Sequence, residues 1–212
     1  MKKRSLKLTP LQIIKRGNYI YHLYYWIYAL FYDFKICGRT LNGTLFYDAD
    51  GAYPVQSISY IYLKELIKEI DYTDKDVFVD VGCAWGRLIG YLNFKTQIRE
   101  FVGVELNSEV ASFTYAVFQK KDNIKIIDGD ILNNIPENGT IFYLFNPFDG
   151  KVLSRFLDEF ESKIHHDAKI YYLYPTCKDE FDNRKQWSLT STRYLSPKHM
   201  GQLELRVYDY KS

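Results

Sequence analysis

Apolar runs and amphipathic stretches alternate regularly along the chain from about residue 57 onward. The apolar runs predict strands at 77–81, 100–106, 124–128, 140–146 and 169–175. Around and between them, apolar residues recur at helical spacing and predict helices at 57–70, 86–94, 108–120 and 151–164. Ser108 is the expected N-cap of the third of these helices. Strands that alternate with helices predict a parallel sheet covered on both faces.

The last part of the chain departs from this alternation. Two further strands are predicted at 187–195 and 202–210 with no helix between them, and the connection at 196–201 suits a hairpin. A hairpin makes its strands antiparallel. The predicted fold class is therefore α/β: a Rossmann-like seven-stranded, mostly parallel sheet with an antiparallel last strand, helices on both faces, and an aromatic-rich N-terminal helix.

The N-terminal helix is predicted from the uncharged, Tyr-rich stretch at 18–32. Apolar residues recur at helical spacing along one predicted face: Ile13, Ile20, Tyr24, Ile27, Phe31 and Phe34. Three interpretations are open: a helix docked on the core or capping the substrate side, a helix lying in the plane of a membrane interface, and a membrane span. The span is disfavoured because the stretch falls short of the roughly 20 residues required and is dominated by Tyr, which prefers the interface.

The stretch at 39–55 is rich in Gly, Asn and Asp. It is interpreted as a loop or a short hairpin around Asn42 and Gly43. We expect an N-terminal extension at 1–55 and a ligand-binding domain at 56–212. A cleaved signal peptide is not expected, because no small-residue cleavage site follows the apolar stretch.

Charge is unevenly distributed although the net charge is only +2. Residues 1–16 contain six basic residues and no acid, which leaves 22 basic against 26 acidic residues in the remainder, a net charge of −4. A mildly acidic body argues against a broad nucleic-acid-binding surface. The basic run next to an aromatic helix makes peripheral contact of residues 1–34 with anionic lipid a hypothesis.

Cysteine usage indicates a reducing compartment. The three cysteines are widely spaced and contain no CxxC pair, so neither a disulfide framework nor a metal site is expected. The expected location is the cytoplasm, with association at the inner face of the membrane as an additional hypothesis.

The loop after the strand at 77–81 is the candidate ligand site. A dinucleotide fingerprint would need glycine at 82, 84 and 87, but Ala84 and Arg87 stand at two of these positions, which disfavours a nicotinamide-dependent oxidoreductase. A P-loop is also absent. An acid-x-Gly-x-Gly-x-Gly loop fits Asp80, Gly82 and Gly86, with alanine in place of the middle glycine. If position 84 needs a positive φ, that alanine is strained by roughly 1–2 kcal/mol.

Glu105 closes the second predicted strand, 23 residues beyond Gly82. A carboxylate at this place can accept hydrogen bonds from both ribose hydroxyls of a nucleoside ligand. The alternative is an ordinary exposed loop acid.

Four segments in order, "VFVDVGCAWGRLIGYL", "FVGVELNSEVA", "IKIIDGDIL" and "IFYLFNPFDG", resemble the successive motifs of class I S-adenosylmethionine-dependent methyltransferases. The resemblance covers about residues 55–175 and implies S-adenosyl-L-methionine as the cofactor. It implies that Asp80, Gly82, Ala84 and Gly86 lie against the methionine end and ribose, that Glu105 holds the ribose hydroxyls, and that Asp130 reaches the adenine amine.

The "FNPF" segment ends the fourth strand and resembles the Asn/Asp-Pro-Pro-aromatic motif of amine-directed methyltransferases, with one proline fewer. The resemblance implies that the carbonyl oxygen of Asn146 accepts hydrogen bonds from a target amine, that Pro147 shapes the turn, and that Phe148 stacks on a planar substrate. The alternative is a turn at the strand end with Phe148 in the core. The chain also resembles small bacterial methyltransferases of unassigned substrate, which are related at fold level to histone-lysine methyltransferases and pair such a loop with "NPF". This resemblance does not imply a histone substrate.

Other candidates are weaker. His165 and His166 suit the end of a predicted helix, and Cys83 is interpreted as a packing residue. Tyr53 and Pro54 either close over the cofactor or simply pack in a loop. The predicted function is methyl transfer to an unidentified acceptor, possibly an amine. The alternative is a non-catalytic adenosyl-ligand-binding or membrane-peripheral module on the same fold.

Overall fold

The computed structural model describes residues 19–41, 43–45 and 51–212, and only the backbone of Tyr19 and Ile20. The helices are α1 (Tyr19–Cys37), α2 (Tyr60–Glu69), α3 (Arg87–Lys95), α4 (Ser108–Phe118) and α5 (Gly150–Lys163), with a short 3-10 helix at Lys178–Phe181. The strands are β1 (Thr44–Leu45), β2 (Val55–Gln56), β3 (Val77–Val81), β4 (Glu100–Glu105), β5 (Ile124–Asp128), β6 (Ile141–Phe145), β7 (Ala168–Leu173), β8 (Trp187–Leu195) and β9 (Leu203–Tyr210).

The main sheet has seven strands in the order β5-β4-β3-β6-β7-β9-β8. The first five of these strands are parallel, and β9 is antiparallel to both of its neighbours. This confirms the predicted α/β fold with its antiparallel last strand. The chain runs outward from β3 through β4 to β5 and then returns to β6 on the other side of β3. A crevice therefore opens where the strand order reverses.

The sheet is buried between two apolar layers. All five residues of β3 are buried, as a strand covered on both faces requires. One layer packs α2 and α3 on the sheet, and α5 packs on the opposite face through Leu153, Phe156 and Phe160. These layers fix the carboxyl ends of β3, β4 and β6, which form the crevice.

The N-cap of α4 is Asn107, so the prediction of Ser108 was wrong. The backbone of Asn107 is extended (φ −81°, ψ 111°), and its side-chain oxygen accepts hydrogen bonds from the backbone N–H groups of Glu109 and Val110. A cap residue must lie outside the helix to reach those groups. Ser108 is already helical, and its hydroxyl instead donates to Asp128 Oδ1 at 2.9 Å.

The N-terminal helix is present as α1 and packs on the core. Tyr28, Ala29, Tyr32 and Ile36 contact the core layer that contains α2 and α3. The predicted spacing places Tyr24, Ile27, Phe31 and Phe34 on one side of the helix. This side is turned away from the core, and each of the four residues is more than half exposed. Ile13 lies outside the described residues, and the side chain of Ile20 is not described. No helix within the described ranges has the length and apolar character needed to cross a membrane.

A hairpin forms after α1, but not around Asn42 and Gly43. β1 and β2 pair antiparallel, with Thr44 opposite Gln56 and Leu45 opposite Val55. The connection therefore spans 46–54, of which 46–50 lie outside the described residues, as does Asn42. Gly43 precedes the first strand, and a Cβ added there would lie 2.8 Å from Trp85 Nε1.

Candidate functional site

A cavity opens at the carboxyl ends of β3, β4 and β6, where the strand order reverses. It contains about 1110 Å³ of empty space, part of it at an open mouth. Eight of the nine site residues predicted from the sequence line it: Asp80, Gly82, Ala84, Glu105, Asp130, Asn146, Pro147 and Phe148. The ninth, Gly86, is the last residue of the loop and does not line the cavity.

The loop between β3 and α3 has an unusual backbone. Gly82, Ala84 and Gly86 all have positive φ, of 75°, 49° and 75°. The N–H groups of Gly82 and Cys83 both donate to the carbonyl oxygen of Val104, at 2.9 and 3.0 Å. These bonds tie the bend to β4, so its inner edge faces the cavity.

Gly86, at the end of the loop, faces α4. A Cβ at this position would lie 2.5 Å from Phe118 Cε2 and 2.8 Å from Thr114 Cγ2. Glycine therefore lets α4 approach the start of α3. The Thr114 hydroxyl uses this approach to donate to the carbonyl oxygen of Ala84 at 2.7 Å.

Glu105 is buried, with 3% of its surface exposed, so it is not an ordinary exposed loop acid. Its Oε2 accepts from the Ala84 N–H and its Oε1 from the Asn107 N–H, both at 2.9 Å. Burial raises the pKa of Glu105, and these N–H groups oppose that rise by stabilising the anion. Each carboxylate oxygen keeps a second lone pair that can accept a hydrogen bond from a ligand hydroxyl.

Asp80 and Tyr143 place two further polar groups at the base of the cavity. Burial raises the pKa of Asp80 to about 8, and the nearby charge of Glu105 adds to this. The Tyr143 hydroxyl is buried without a hydrogen-bond partner among the described residues. Because an unpaired buried hydroxyl is costly, this group is suited to a polar ligand.

Asp130 lies beyond the end of β5, and its Oδ1 accepts from the Leu132 N–H at 3.0 Å. β5, β4 and β3 are successive neighbours in the sheet. Neighbouring strands lie about 4.8 Å apart, so β5, which leads to Asp130, and β3, which carries Asp80, are roughly 10 Å apart, with β4 and Glu105 between them. This spacing suits an extended nucleoside-containing ligand.

The "NPF" turn is arranged differently from the motif that it resembles. Asn146 Oδ1 already accepts from the Tyr172 hydroxyl at 3.0 Å and from the Thr176 hydroxyl at 2.6 Å. The ring of Phe148 is 94% buried and packs against Phe156, as the core alternative expects, although it also lines the cavity. The substrate roles of Asn146, Pro147 and Phe148 stay predictions.

The segment that leads into the domain covers one side of the cavity. Ala52 forms a bridge with Phe148, and the Tyr53 N–H donates to the carbonyl oxygen of Pro147 at 3.0 Å. Tyr53 and Pro54 both line the cavity. Both residues therefore lie at the wall of the cavity, and their closure over a cofactor stays a prediction.

Sequence reasoning missed a buried ion pair beside the loop. Asp33 of α1 is fully buried, and its carboxylate accepts from Arg87 Nη2 at 2.9 Å, from the Tyr60 hydroxyl at 2.6 Å and from the Leu41 N–H at 3.0 Å. Arg87 also lines the cavity. The sequence did offer one indication of this pair: Asp33 is the first acid in the chain and directly follows the aromatic-rich stretch at 18–32.

The remaining candidates lie elsewhere or are inert. His166 contacts the carbonyl oxygen of Gly139 at 3.0 Å, near the opposite end of the strands. Cys83 is buried, and burial raises the pKa of its thiol well above the ordinary value. Its thiol therefore stays protonated at neutral pH, in keeping with a packing role.

Comparisons with known proteins add the following. No family model matches the chain. Over 147 residues, 61% of this chain, it is 28% identical to a histone-lysine N-methyltransferase of Caenorhabditis elegans specific for lysine 79 of histone H3, but it spans only 15% of that enzyme's length.

Solved structures with the same fold include methyltransferases. The tRNA methyltransferase TrmK of Bacillus subtilis superposes with a TM-score of 0.59 at 14% identity, covering 71% of this chain and 65% of TrmK. The Escherichia coli protein yhhF, which carries a provisional methyltransferase assignment, gives a TM-score of 0.57 at 16% identity, with 80% of this chain and 99% of yhhF covered. At these identities the comparisons establish a shared fold: this chain has the architecture on which those methyltransferases are built.

Proposed function

We propose that the chain is an S-adenosylmethionine-dependent methyltransferase. The observation that carries this proposal is the bend from Gly82 to Gly86, which has positive φ at alternate positions and lies over a cavity between Asp80 and Glu105. The fold comparisons support the same function.

The residues of the cavity fit this cofactor. Among the residues that the structure describes, a Cβ added at Gly82 would meet only Pro147, at 3.4 Å, so the backbone there is open to a ligand. The unpaired Tyr143 hydroxyl and the buried Asp80 carboxyl supply polar groups for an amino acid moiety.

In the proposed arrangement, Glu105 accepts hydrogen bonds from the ribose hydroxyls and Asp130 accepts one from the adenine amine. Asp80, Tyr143 and the loop backbone hold the methionine end. The bound cofactor supplies a methyl group on a sulfonium for direct displacement by the acceptor. Alignment of the reacting groups in such a site can supply about 7–11 kcal/mol of the barrier reduction.

An amine acceptor is a secondary part of the proposal. It requires the side-chain oxygen of Asn146 to exchange its bonds to Tyr172 and Thr176 for a substrate amine, or the backbone carbonyl oxygen of Asn146 to accept instead. The resemblance of the "NPF" turn supports this part.

Calorimetric titration with S-adenosylhomocysteine tests the cofactor site. We expect the unaltered chain to bind, and Glu105→Ala to weaken binding at least tenfold, about 1.4 kcal/mol. Glu137→Ala is the matched control, because Glu137 is exposed and lies outside the cavity. Thermal unfolding of both variants shows whether Glu105→Ala is folded. Unchanged affinity in folded Glu105→Ala would contradict the ribose assignment.

Transfer of labelled methyl from the cofactor to components of a lysate separates catalysis from binding. We expect label to be incorporated by the unaltered chain and lost with Glu105→Ala. Binding of S-adenosylhomocysteine without any transfer would instead support the non-catalytic module.

A further inference from the structure

α1 presents a continuous apolar face to solvent. Six large side chains on it, here called the α1 outer face, are each 54–57% exposed: Leu23, Tyr24, Trp26, Ile27, Phe31 and Phe34. Their spacing places them on one side of the helix. The opposite side carries Tyr28, Tyr32 and Ile36, which pack on the core.

This face is unlike ordinary surface. Exposed apolar residues are normal when scattered, but a contiguous patch marks an interaction site. No charged residue stands among the six, although a helix docked on a soluble core usually carries charged or polar residues on its outer side. The α1 outer face therefore requires a partner that accepts apolar side chains.

Basic groups border the α1 outer face. Lys35 Nζ lies 5.5 Å from the ring centre of Phe31 and 5.0 Å from that of Phe94, which is itself 42% exposed. Lys95 Nζ lies 4.9 Å from the ring centre of Phe94. In the sequence, residues 1–16 precede the helix and contain six basic residues and no acid. Positive charge is thus concentrated at this end of a chain whose remainder is net acidic.

We propose that the α1 outer face lies in the interface of an anionic lipid bilayer, with α1 parallel to the membrane plane. Tyr and Trp prefer the boundary between headgroups and acyl chains. The Lys35 and Lys95 stems can extend along the apolar surface while their ammonium groups reach lipid phosphates. A helix buried in the interface in this way does not need the length of a membrane span.

A second copy of the chain fits this face less well than lipid. A two-fold interface brings the same patch of both copies together. Both patches carry this basic border, and none of the six residues of the α1 outer face is an acid that could pair with Lys35 or Lys95 of the other copy. An anionic bilayer instead offers the opposite charge to every basic group at this end.

Flotation of the full chain with vesicles tests the proposal independently of any methyltransferase activity. One set of vesicles is phosphatidylcholine alone, and the other contains phosphatidylcholine and phosphatidylglycerol in equal parts. We expect the chain to float with the anionic vesicles, less with the neutral ones, and less in high salt. Failure to float with the anionic vesicles would overturn the proposal.

The variants Ile27→Glu and Phe31→Glu place a charge on the exposed face without entering the core. We expect each to weaken vesicle binding by at least roughly tenfold, because each removes apolar burial in lipid and adds repulsion from phosphate. Leu189→Glu is the matched control, since Leu189 is 49% exposed on β8, and it should bind as the unaltered chain does.

Two further measurements sharpen the result. Unfolding temperature and S-adenosylhomocysteine affinity should be the same in the Glu variants and the control, so loss of vesicle binding reflects the surface alone. Equal vesicle binding by Ile27→Glu, or a lipid-free dimer that Ile27→Glu converts to a monomer, would overturn the proposal.

Discussion

Ala84 adopts a backbone conformation that normally selects glycine. Its φ of 49° places a Cβ where L residues are strained by roughly 1–2 kcal/mol. The methyl group offsets part of this by packing against Val55 and Val110. We expect Ala84→Gly to raise the unfolding temperature or leave it unchanged, and to bind S-adenosylhomocysteine equally or more tightly.

Calorimetry of unfolding and of binding measures both effects. Ala116→Gly is the control, because Ala116 is exposed in the helical interior of α4 and its replacement should cost about 1 kcal/mol. If Ala84→Gly is destabilised as much as Ala116→Gly, or binds clearly more weakly, strain at position 84 is not the controlling factor.

At the residue scale, local motifs identify residues that are close to one another in the chain. Gly82, Ala84, Glu105 and Asp130 were singled out in this way, and the structure places all four on the lining of one cavity. The environment of Asn146 could not be predicted, because its partners Tyr172 and Thr176 lie 26 and 30 residues away. A strand and a turn must be placed before those hydroxyl groups meet the amide.

At the scale of elements, the Asp33–Arg87 pair joins α1 to the start of α3. Both side chains are at most 4% exposed, so removing one charge leaves the other buried without compensation. We expect Asp33→Asn to lower the free energy of unfolding by about 3–5 kcal/mol. Arg87 directly follows Gly86, the last residue of the loop. Loss of the Asp33 charge should therefore disturb the loop and weaken binding of S-adenosylhomocysteine as well.

Denaturant unfolding and calorimetric titration measure these two losses. Asp74→Asn is the matched control: Asp74 pairs with Arg99 at the same 2.9 Å distance, but both side chains are well exposed, so the expected loss is below about 1 kcal/mol. Similar small losses for both variants would show that α1 is not fastened to the loop by this pair.

Most elements of the sheet and its helices were predicted to within a few residues, because strands covered on both faces are continuously apolar and helices are amphipathic. The side of α1 that packs on the core was not predicted. Both sides of this helix are apolar, so the periodicity does not distinguish the side that packs from the side that is exposed. The single acid Asp33 settles the orientation, through a partner 54 residues later.

At the scale of the whole molecule, the pH dependence of stability reports on Asp80. Its pKa is about 8 in the folded chain and near 3.8 in an unfolded one. Between these values the folded chain holds a proton that the unfolded chain has released, so stability falls as pH rises through this window and levels above it. We expect Asp80→Asn to be free of this loss, and therefore to gain stability relative to the unaltered chain from pH 4 to pH 8.

Thermal unfolding across that pH range, with Asp122→Asn as a control at an exposed site, measures the difference. The same Asp80→Asn variant should bind S-adenosylhomocysteine more weakly, because it lacks the carboxyl group at the base of the cavity. If the difference in unfolding temperature between the unaltered chain and Asp80→Asn is the same at every pH, the raised pKa of a buried Asp80 is contradicted.

The position of β9 has a consequence for synthesis. β9 lies between β7 and β8, and within the described residues β8 forms its ladder with β9 alone. A ribosome releases β8 first, so the nascent strand has no sheet edge of its own to join until β9 has emerged and folded back. Translation thus leaves the sheet open beyond β7 until the codons of β9 have been read.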